Sequence, residues 1–280
     1  MKPLLAHIYE PHRVTYPCWV QPKLNGVRAL YQNGRFQSRD EIPWNASLLE
    51  HIAVHLRNII PLQVILDGEL YVHGWPLQRI NAAVTPVRQQ PTEDTLQVRY
   101  HIFDVVDYNR PFIVRAYTDL QQSIACIIKN CSMAPISMVL TAKVYNSYEA
   151  DLQYSQFVED KYEGMMYRLD DCPYTVPKQF RGVDKNNRCF HLLKRKDWHD
   201  DEFVCEAVLE GEGKYRHMAG ALGFSSKTGR PFTVGSGLSD GERTHYWQSP
   251  QDAVGHTWKI KYLVLSSDGI PLNPTILTIL

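Results

Sequence analysis

The stretch Gln21-Pro22-Lys23-Leu24-Asn25-Gly26-Val27-Arg28 constrains this chain most. It sets one lysine between a proline and a glycine, with an arginine five residues on. Proline and glycine both disfavour a helix interior, so the segment reads as strand, break, strand. Trp19-Val20-Gln21 is a short strand running into the lysine, and Gly26 lets backbone approach a ligand closely. Residues 27–31 alternate apolar and polar, Asn33-Gly34 makes a hairpin turn, and residues 35–39 return, ending in Ser38-Arg39. Taken alone, Lys23 is a solvated strand end. Its other reading is an amine that attacks phosphorus, and the later segments supply the remaining parts of such a site.

Residues 45–60 read as a helix, with Leu48, Leu49, Ile52, Leu56 and Ile59 on one face and Ser47/Glu50 as a capping box. His51 and His55 lack a third ligand and read as an exposed polar face. Val64-Ile65-Leu66 is a buried-type strand leading into Asp67-Gly68-Glu69, whose carboxylates share a face and need a donor or cation. Residues 98–106 form a further strand in which Phe103 is core by spacing. A helix over 111–128, a strand over 138–142 and a helix over 147–160 follow. Glu163 then enters the apolar strand Gly164-Met165-Met166-Tyr167-Arg168, an unusual place for a charge without a partner. Residues 178–198 are basic, with Lys178, Arg181, Lys185, Arg188, Lys194, Arg195 and Lys196. Lys194 and Lys196 fall on one strand face, where an anion such as phosphate relieves their repulsion.

Beyond residues 198–201 the texture changes. Strands over 203–209, 219–225, 231–234 and 257–265, with one short helix over 239–247, suit a small Greek-key barrel of the OB type. The fold class is therefore α+β: residues 1–198 with antiparallel sheets and helices, then an all-β OB-fold over 199–280. The loop over 211–218 carries Lys214 and Arg216, as phosphate contacts or as a solvated loop. Thirty basic and thirty acidic side chains cancel, which argues against a histone-like binder. Six cysteines (18, 126, 131, 172, 189 and 205) form no C-x-x-C pair or zinc spacing and read as reduced cytosolic thiols. No signal peptide is expected, and there is no apolar run of the ~20 residues a membrane span needs.

In order, Lys23-Leu24-Asn25-Gly26-Val27-Arg28, Ser38-Arg39, Leu66-Asp67-Gly68-Glu69-Leu70, Phe103-Asp104, Glu163-Gly164-Met165-Met166-Tyr167-Arg168 and Leu193-Lys194-Arg195-Lys196 resemble the covalent nucleotidyltransferases. Specifically they resemble small two-domain ATP-dependent DNA ligases of phage or viral type. The resemblance implies that Lys23 attacks the α-phosphorus of ATP to give a lysyl-AMP. The AMP passes to the 5′-phosphate of a nick in duplex DNA, and the 3′-hydroxyl then seals the strand. It implies Lys194 and Lys196 as catalytic cations, Phe103 stacked on adenine, and Arg28 and Arg39 on phosphates, Arg39 on that of the nick. It also implies Glu163 as a ligand of Mg²⁺, Glu69 on the ribose or the metal, Lys214 and Arg216 in the nucleic-acid set, and a barrel closing over the duplex. A monomer in the cytoplasm of a bacterial or phage-infected cell is expected.

Two departures stand out. The family's aspartate two residues after the lysine is Asn25 here, and nothing after Tyr262 is Lys or Arg where such ligases carry a basic motif. An RNA ligase of the same superfamily and a nick-binding protein defective in self-adenylylation stay open as alternatives. Asparagine keeps the hydrogen-bonding shape of aspartate but loses its charge. Asn25→Asp is therefore expected to raise the strand-sealing rate severalfold, measured on a nicked duplex; an unchanged rate would count against a role for that charge.

Overall fold

Among the described residues, period-two patterning brings the strands into three five-stranded sheets and one two-stranded sheet, the latter of β15 (Val264–Leu265) and β16 (Pro271–Leu272). The computed structural model describes residues 3–57, 60, 64–85, 88–106, 134–175, 181–186, 188–196, 198–262, 264–266 and 268–280. The chain divides into two units, Met1–Arg195 and Lys196–Leu280. The expected helix over 111–128, Ile59, Lys178, Cys126 and Cys131 lie outside the described residues. Cys18, Cys172, Cys189 and Cys205 are buried and are in no disulfide. Among the described residues no helix is long and apolar enough to cross a membrane.

In the first unit, one sheet orders β1 (Leu5–Ile8), β10 (Arg188–Arg195), β9 (Gly164–Arg168), β2 (Cys18–Lys23) and β8 (Ala142–Val144). The other orders β4 (Arg35–Gln37), β3 (Val27–Gln32), β5 (Ile65–Tyr71), β6 (Arg99–Val106) and β7 (Ile136–Met138). Pairing is antiparallel except at one edge of each sheet, where β1 runs parallel to β10 and β7 to β6. The expected strand over 138–142 is thus two strands in different sheets, separated by residues 139–141.

The Asn33-Gly34 turn joins β3 to β4 with positive φ at both residues (52° and 77°), as a two-residue hairpin requires. Helix α1 (Ala46–Arg57) lays Leu48, Leu49, Ile52 and Leu56 on Tyr31, Phe36, Leu66 and Tyr100 of the second sheet. Its capping differs from expectation. Ser47 is already helical, and Asn45 Oδ1 accepts from the Ser47 amide at 3.1 Å, while Glu50 pairs with Arg57. His51 is not on a free polar face: its Nε2 lies 3.0 Å from the Val98 carbonyl. Two short helices, α2 (Leu77–Val84) and α3 (Glu93–Gln97), form where no periodicity was read. Helix α4 (Ser147–Glu159) is capped by Asn146 and buries Ala150, Tyr154 and Phe157 against Val20, Met165 and Tyr167 of the first sheet.

The second unit orders β13 (Pro231–Val234), β12 (Ala219–Ser225), β11 (His199–Glu210), β14 (Thr257–Tyr262) and β17 (Thr275–Ile279), all antiparallel. Strand β11 is shared: residues 199–204 pair with β14, and its far end pairs with β12 through two register shifts. Such bulges bend a strand so that one segment serves two sheet directions. Helix α5 (Asp240–Gln248) starts at a Ser239/Glu242 capping box. The C-terminal segment, where a basic motif was looked for, is β17, an edge strand holding Ile276 in the core around Trp258.

Burial pushes His101 down to about 4, with Arg99 and His73 adding to the effect. An unfolded histidine near 6.5 binds more protons than this folded one between the two values, so stability is lost as pH falls through that window. Denaturant unfolding at pH 7 and pH 4.5 should show a loss from this group of about 2–3 kcal/mol in the wild type. In His101→Gln that part of the loss should be absent.

Candidate functional site

Strand β2 ends at Lys23, and residues 24–26 cross from the first sheet to β3 of the second. Gly26 is needed for that crossing. A Cβ there would stand 2.4 Å from the Leu70 carbonyl oxygen, so the close approach it permits is to β5 and not to a ligand. The crossing leaves a cavity of about 220 Å³ between the sheets. From the first sheet it is lined by Gln21, Lys23, Met166, Arg168 and Lys194, and from the second by Arg28, Glu69 and Phe103.

Lys23 Nζ donates to Glu163, which β9 places beside it: Lys23 pairs with Gly164 in the ladder, and the Glu163 amide donates to the Lys23 carbonyl at 3.0 Å. Glu163 therefore precedes the apolar strand, and lysine is its partner. On the other flank burial pushes the Glu69 carboxyl up to about 7, against the pull of Lys23, Arg28 and the Gly26 amide and with the push of Asp67. The proton is held better folded than unfolded. That contribution to stability is full below 4.5 and lost as pH rises through about 7.

Arg28 was expected to grip phosphate, and the structure finds it engaged. Its Nε and Nη2 donate to Asp67 at 2.9 and 2.5 Å, and its Nη1 donates to the Leu4 carbonyl at 3.2 Å. Asp67 is fully buried and also accepts from the Tyr174 hydroxyl at 2.9 Å. This answers the demand of two carboxylates on one strand face: Asp67 takes a guanidinium, and Glu69 is left facing the cavity.

Phe103 is half-buried at the cavity wall, not fully in the core as its spacing implied, with the Arg28 and Arg168 guanidiniums each 5.4 Å from its ring centroid. Arg168 is buried, donating to Gln21 at 2.8 Å and to buried Asp104 at 3.1 Å. Gln21 in turn donates to the Phe103 carbonyl at 3.0 Å and to Thr141 at 2.8 Å. Gln21, Asp104, Arg168 and Tyr174 were given no role from sequence. The available signal was a charge inside an apolar strand, at Asp104 and at Arg168, since each must find the other or an equivalent.

Of the other expected residues, Arg39 belongs to the first unit and Lys196, Lys214 and Arg216 to the second. Arg39 is exposed and lies 3.7 Å from Asp40. Lys196 begins the second unit. There, Lys214 is exposed over Tyr215 and 3.9 Å from Asp240, and Arg216 is exposed beside it. No group of three His, Cys, Asp or Glu side chains suited to a metal occurs among the described residues. Glu69 and Glu163 supply two hard oxygen donors on either side of Lys23. That suits Mg²⁺, which is held by one or two carboxylates together with water and substrate phosphates.

Replacing Arg28 with Met would strand the Asp67 carboxylate in the interior. The expected cost is about 3–5 kcal/mol of stability, read by denaturant unfolding. Asp67→Asn with Arg28→Met together should recover much of it.

The family profile described as ATP dependent DNA ligase domain matches residues 3–185, and that of the DNA ligase OB-like domain matches residues 210–279. A DNA ligase of African swine fever virus (Warthog/Namibia isolate) is 30% identical over 202 residues, covering 69% of this chain. The chain spans 45% of that viral protein's length. A solved structure of the Lig E DNA ligases superposes with a TM-score of 0.74 at 21% identity, over 100% of this chain and 99% of that one. The Chlorella virus DNA ligase–adenylate gives 0.56 at 23% identity, over 100% and 98%. At these identities the structures speak for the fold.

Proposed function

The chain belongs to the ATP-dependent DNA ligases, and from that premise we propose that it seals nicks between a 5′-phosphate and a 3′-hydroxyl in duplex DNA, using ATP and Mg²⁺. The observation that carries the reading is Lys23 at the wall of the inter-sheet cavity, held by Glu163 and flanked by Glu69, Phe103 and Lys194.

A lysine attacks phosphorus only as the free amine, so Nζ must give up a proton and leave Glu163. Cations beside it, Lys194 among them, favour the neutral amine, and the proton leaves to solvent water. Lys23 then forms an N–P bond to the α-phosphorus as the bond to pyrophosphate breaks. In the second step an oxygen of the nick 5′-phosphate attacks that phosphorus and releases the amine. In the third the 3′-hydroxyl displaces AMP and joins the strand. Lys194 lines the cavity and offsets charge as it builds on the transferred phosphate. Lys196, two residues on, is proposed to act with it. Glu69 and Glu163 would hold Mg²⁺, whose charge stabilises the phosphate oxygens when it is bound.

Phe103 offers its free face to adenine, backed by Arg28 and Arg168. Arg28 serves mainly through Asp67 and Phe103, since three of its N–H donors are committed to Asp67 and the Leu4 carbonyl, and Arg39 stays the candidate for the nick phosphate. In the second unit, Lys214 and Arg216 are exposed cations suited to duplex phosphates. We infer a monomer acting in the compartment that holds the DNA.

α-Labelled ATP with Mg²⁺ should label the wild type and not Lys23→Ala, and a chase with nicked duplex should move label to the DNA end and seal it. Label that chases only onto RNA ends would replace this reading with an RNA ligase. No label at all, with tight binding to pre-adenylylated nicks, would replace it with a protein lacking the first step.

A further inference from the structure

Two thiols that the Lys23 chemistry leaves unused lie in contact. Strands β9 and β10 are neighbours in the first sheet, and past the end of β9 the chain turns beside β10. The Leu169 amide donates to the His191 carbonyl at 3.0 Å, and the Cys172 amide donates to the Leu169 carbonyl at 3.0 Å. Asp171 Oδ1 lies 2.7 Å from His191 Nδ1. These contacts lay residues 169–172 against residues 189–191. There Cys172 and Cys189 pack in one buried cluster with Leu4, Trp19 and Leu192, and their thiols are hydrogen-bonded to each other.

The other described cysteines are placed differently. Cys18 sits in another core cluster with Val20 and Tyr167, where burial pushes its thiol up to about 12. Cys205 belongs to the second unit, and burial raises it too. At Cys189 the balance is reversed. Hydrogen bonds from the Cys172 thiol and from the His191 amide, the latter at 3.4 Å, outweigh burial and hold this thiol below its ordinary value. The thiolate is the nucleophilic form, so Cys189 is the sulfur prepared to react, and Cys172 stands beside it to take up the product. Cys172 is 1% exposed and Cys189 0%, so a reagent must be small and must enter when the turn over 169–172 opens. Asp171, next to Cys172, is exposed, so that opening starts at the surface.

We propose that Cys172 and Cys189 are an oxidisable dithiol, closed to a disulfide by hydrogen peroxide and reopened by a small thiol. The Cys189 thiolate attacks one peroxide oxygen. The O–O bond breaks, hydroxide leaves, and the sulfur, oxidised by two electrons, becomes a sulfenic acid. The Cys172 sulfur then attacks that sulfur. The S–O bond breaks, the S–S bond forms, and water leaves with the Cys172 proton. In sum two thiols are oxidised and one peroxide is reduced to two waters. Reopening is thiol–disulfide exchange, in which two added thiols leave as their own disulfide. The bridge would tie the segment that carries Tyr174, the buried donor to Asp67, to the strand that carries Lys194. The inference stands on the thiol pair, whatever reaction the Lys23 cavity performs.

Peptide mapping of the full chain after hydrogen peroxide tests it, with Cys126→Ser and Cys131→Ser in place so that only the described cysteines can react. Remaining thiols are alkylated in denaturant before digestion. The expected product is one cross-linked peptide pair, joined through Cys172 and Cys189 and separated by dithiothreitol, with Cys18 and Cys205 recovered as alkylated thiols. Cys172→Ser should give no cross-link and should leave Cys189 as a sulfenic acid that dimedone traps. Thermal unfolding is the second measurement. The bridge closes a loop of residues 172–189, so the oxidised protein should melt several degrees above the reduced one, and the difference should vanish in Cys172→Ser. Absence of the Cys172–Cys189 link, or a link made in preference through Cys18 or Cys205, overturns the proposal. So does an oxidised protein that melts below the reduced one, since the two sulfurs would then meet only by distorting the fold.

Discussion

The first unit is organised by the burial of two carboxylates, Asp67 and Asp104, in strands of one sheet. A bare carboxylate in such an interior would cost several kcal/mol, so each fixes the position of whatever satisfies it. Asp67 fixes Arg28 on the neighbouring strand and Tyr174 from the segment before β10. Asp104 fixes Arg168, which belongs to the opposite sheet, and Arg168 fixes Gln21 on the strand that carries Lys23. Asp104, Arg168 and Gln21 thus tie the two sheets together, and Phe103 is held between Arg168 and Arg28 as a consequence. The cavity is what remains between sheets held apart at this fixed spacing. Its reactive groups stand on strands, where neighbouring side chains hold them in register and little has to be ordered when a ligand arrives.

The second unit meets a similar demand with one arginine. Arg243 of α5 is buried and donates to the carbonyls of Ala219, at 2.8 Å, Gly220, at 2.7 Å, and Gly235. Its guanidinium also lies 4.2 Å from the centroid of Tyr215. These carbonyls belong to β12 and to the turn after β13, so the helix is tied to the strands by hydrogen bonds as well as by apolar contact. Lys214 and Arg216, on the loop before β12, are exposed beside this tie.

Much of this was legible along the chain, and the misses have separate causes. The Asn33-Gly34 hairpin, β2 running into Lys23, the apolar face of α1 and the strand over Asp67-Gly68-Glu69 follow from turn chemistry and period-two or period-3.6 patterning, which act over a few residues. The capping box at Ser47 failed for a local reason: Asn45 is the better-placed acceptor, and Arg57 claims Glu50. Gly26 was assigned to a ligand because its close neighbour, the Leu70 carbonyl, is more than forty residues away. Helices α2 and α3 are too short to print a period.

The inventory and order of the reactive groups, the hydrophobic periodicities and the change of texture between the two parts of the chain can all be read along the chain. Each is a property of residue type and short spacing. It took the packed fold to settle that Glu163 holds Lys23, that Arg28 pairs with Asp67 while Glu69 faces the cavity, and that Phe103 stands at a wall. Those outcomes depend on which distant groups share a low-dielectric interior. There an unpaired charge or hydrogen-bonding group costs more than any local preference, and partners are chosen across sheets and not along the chain.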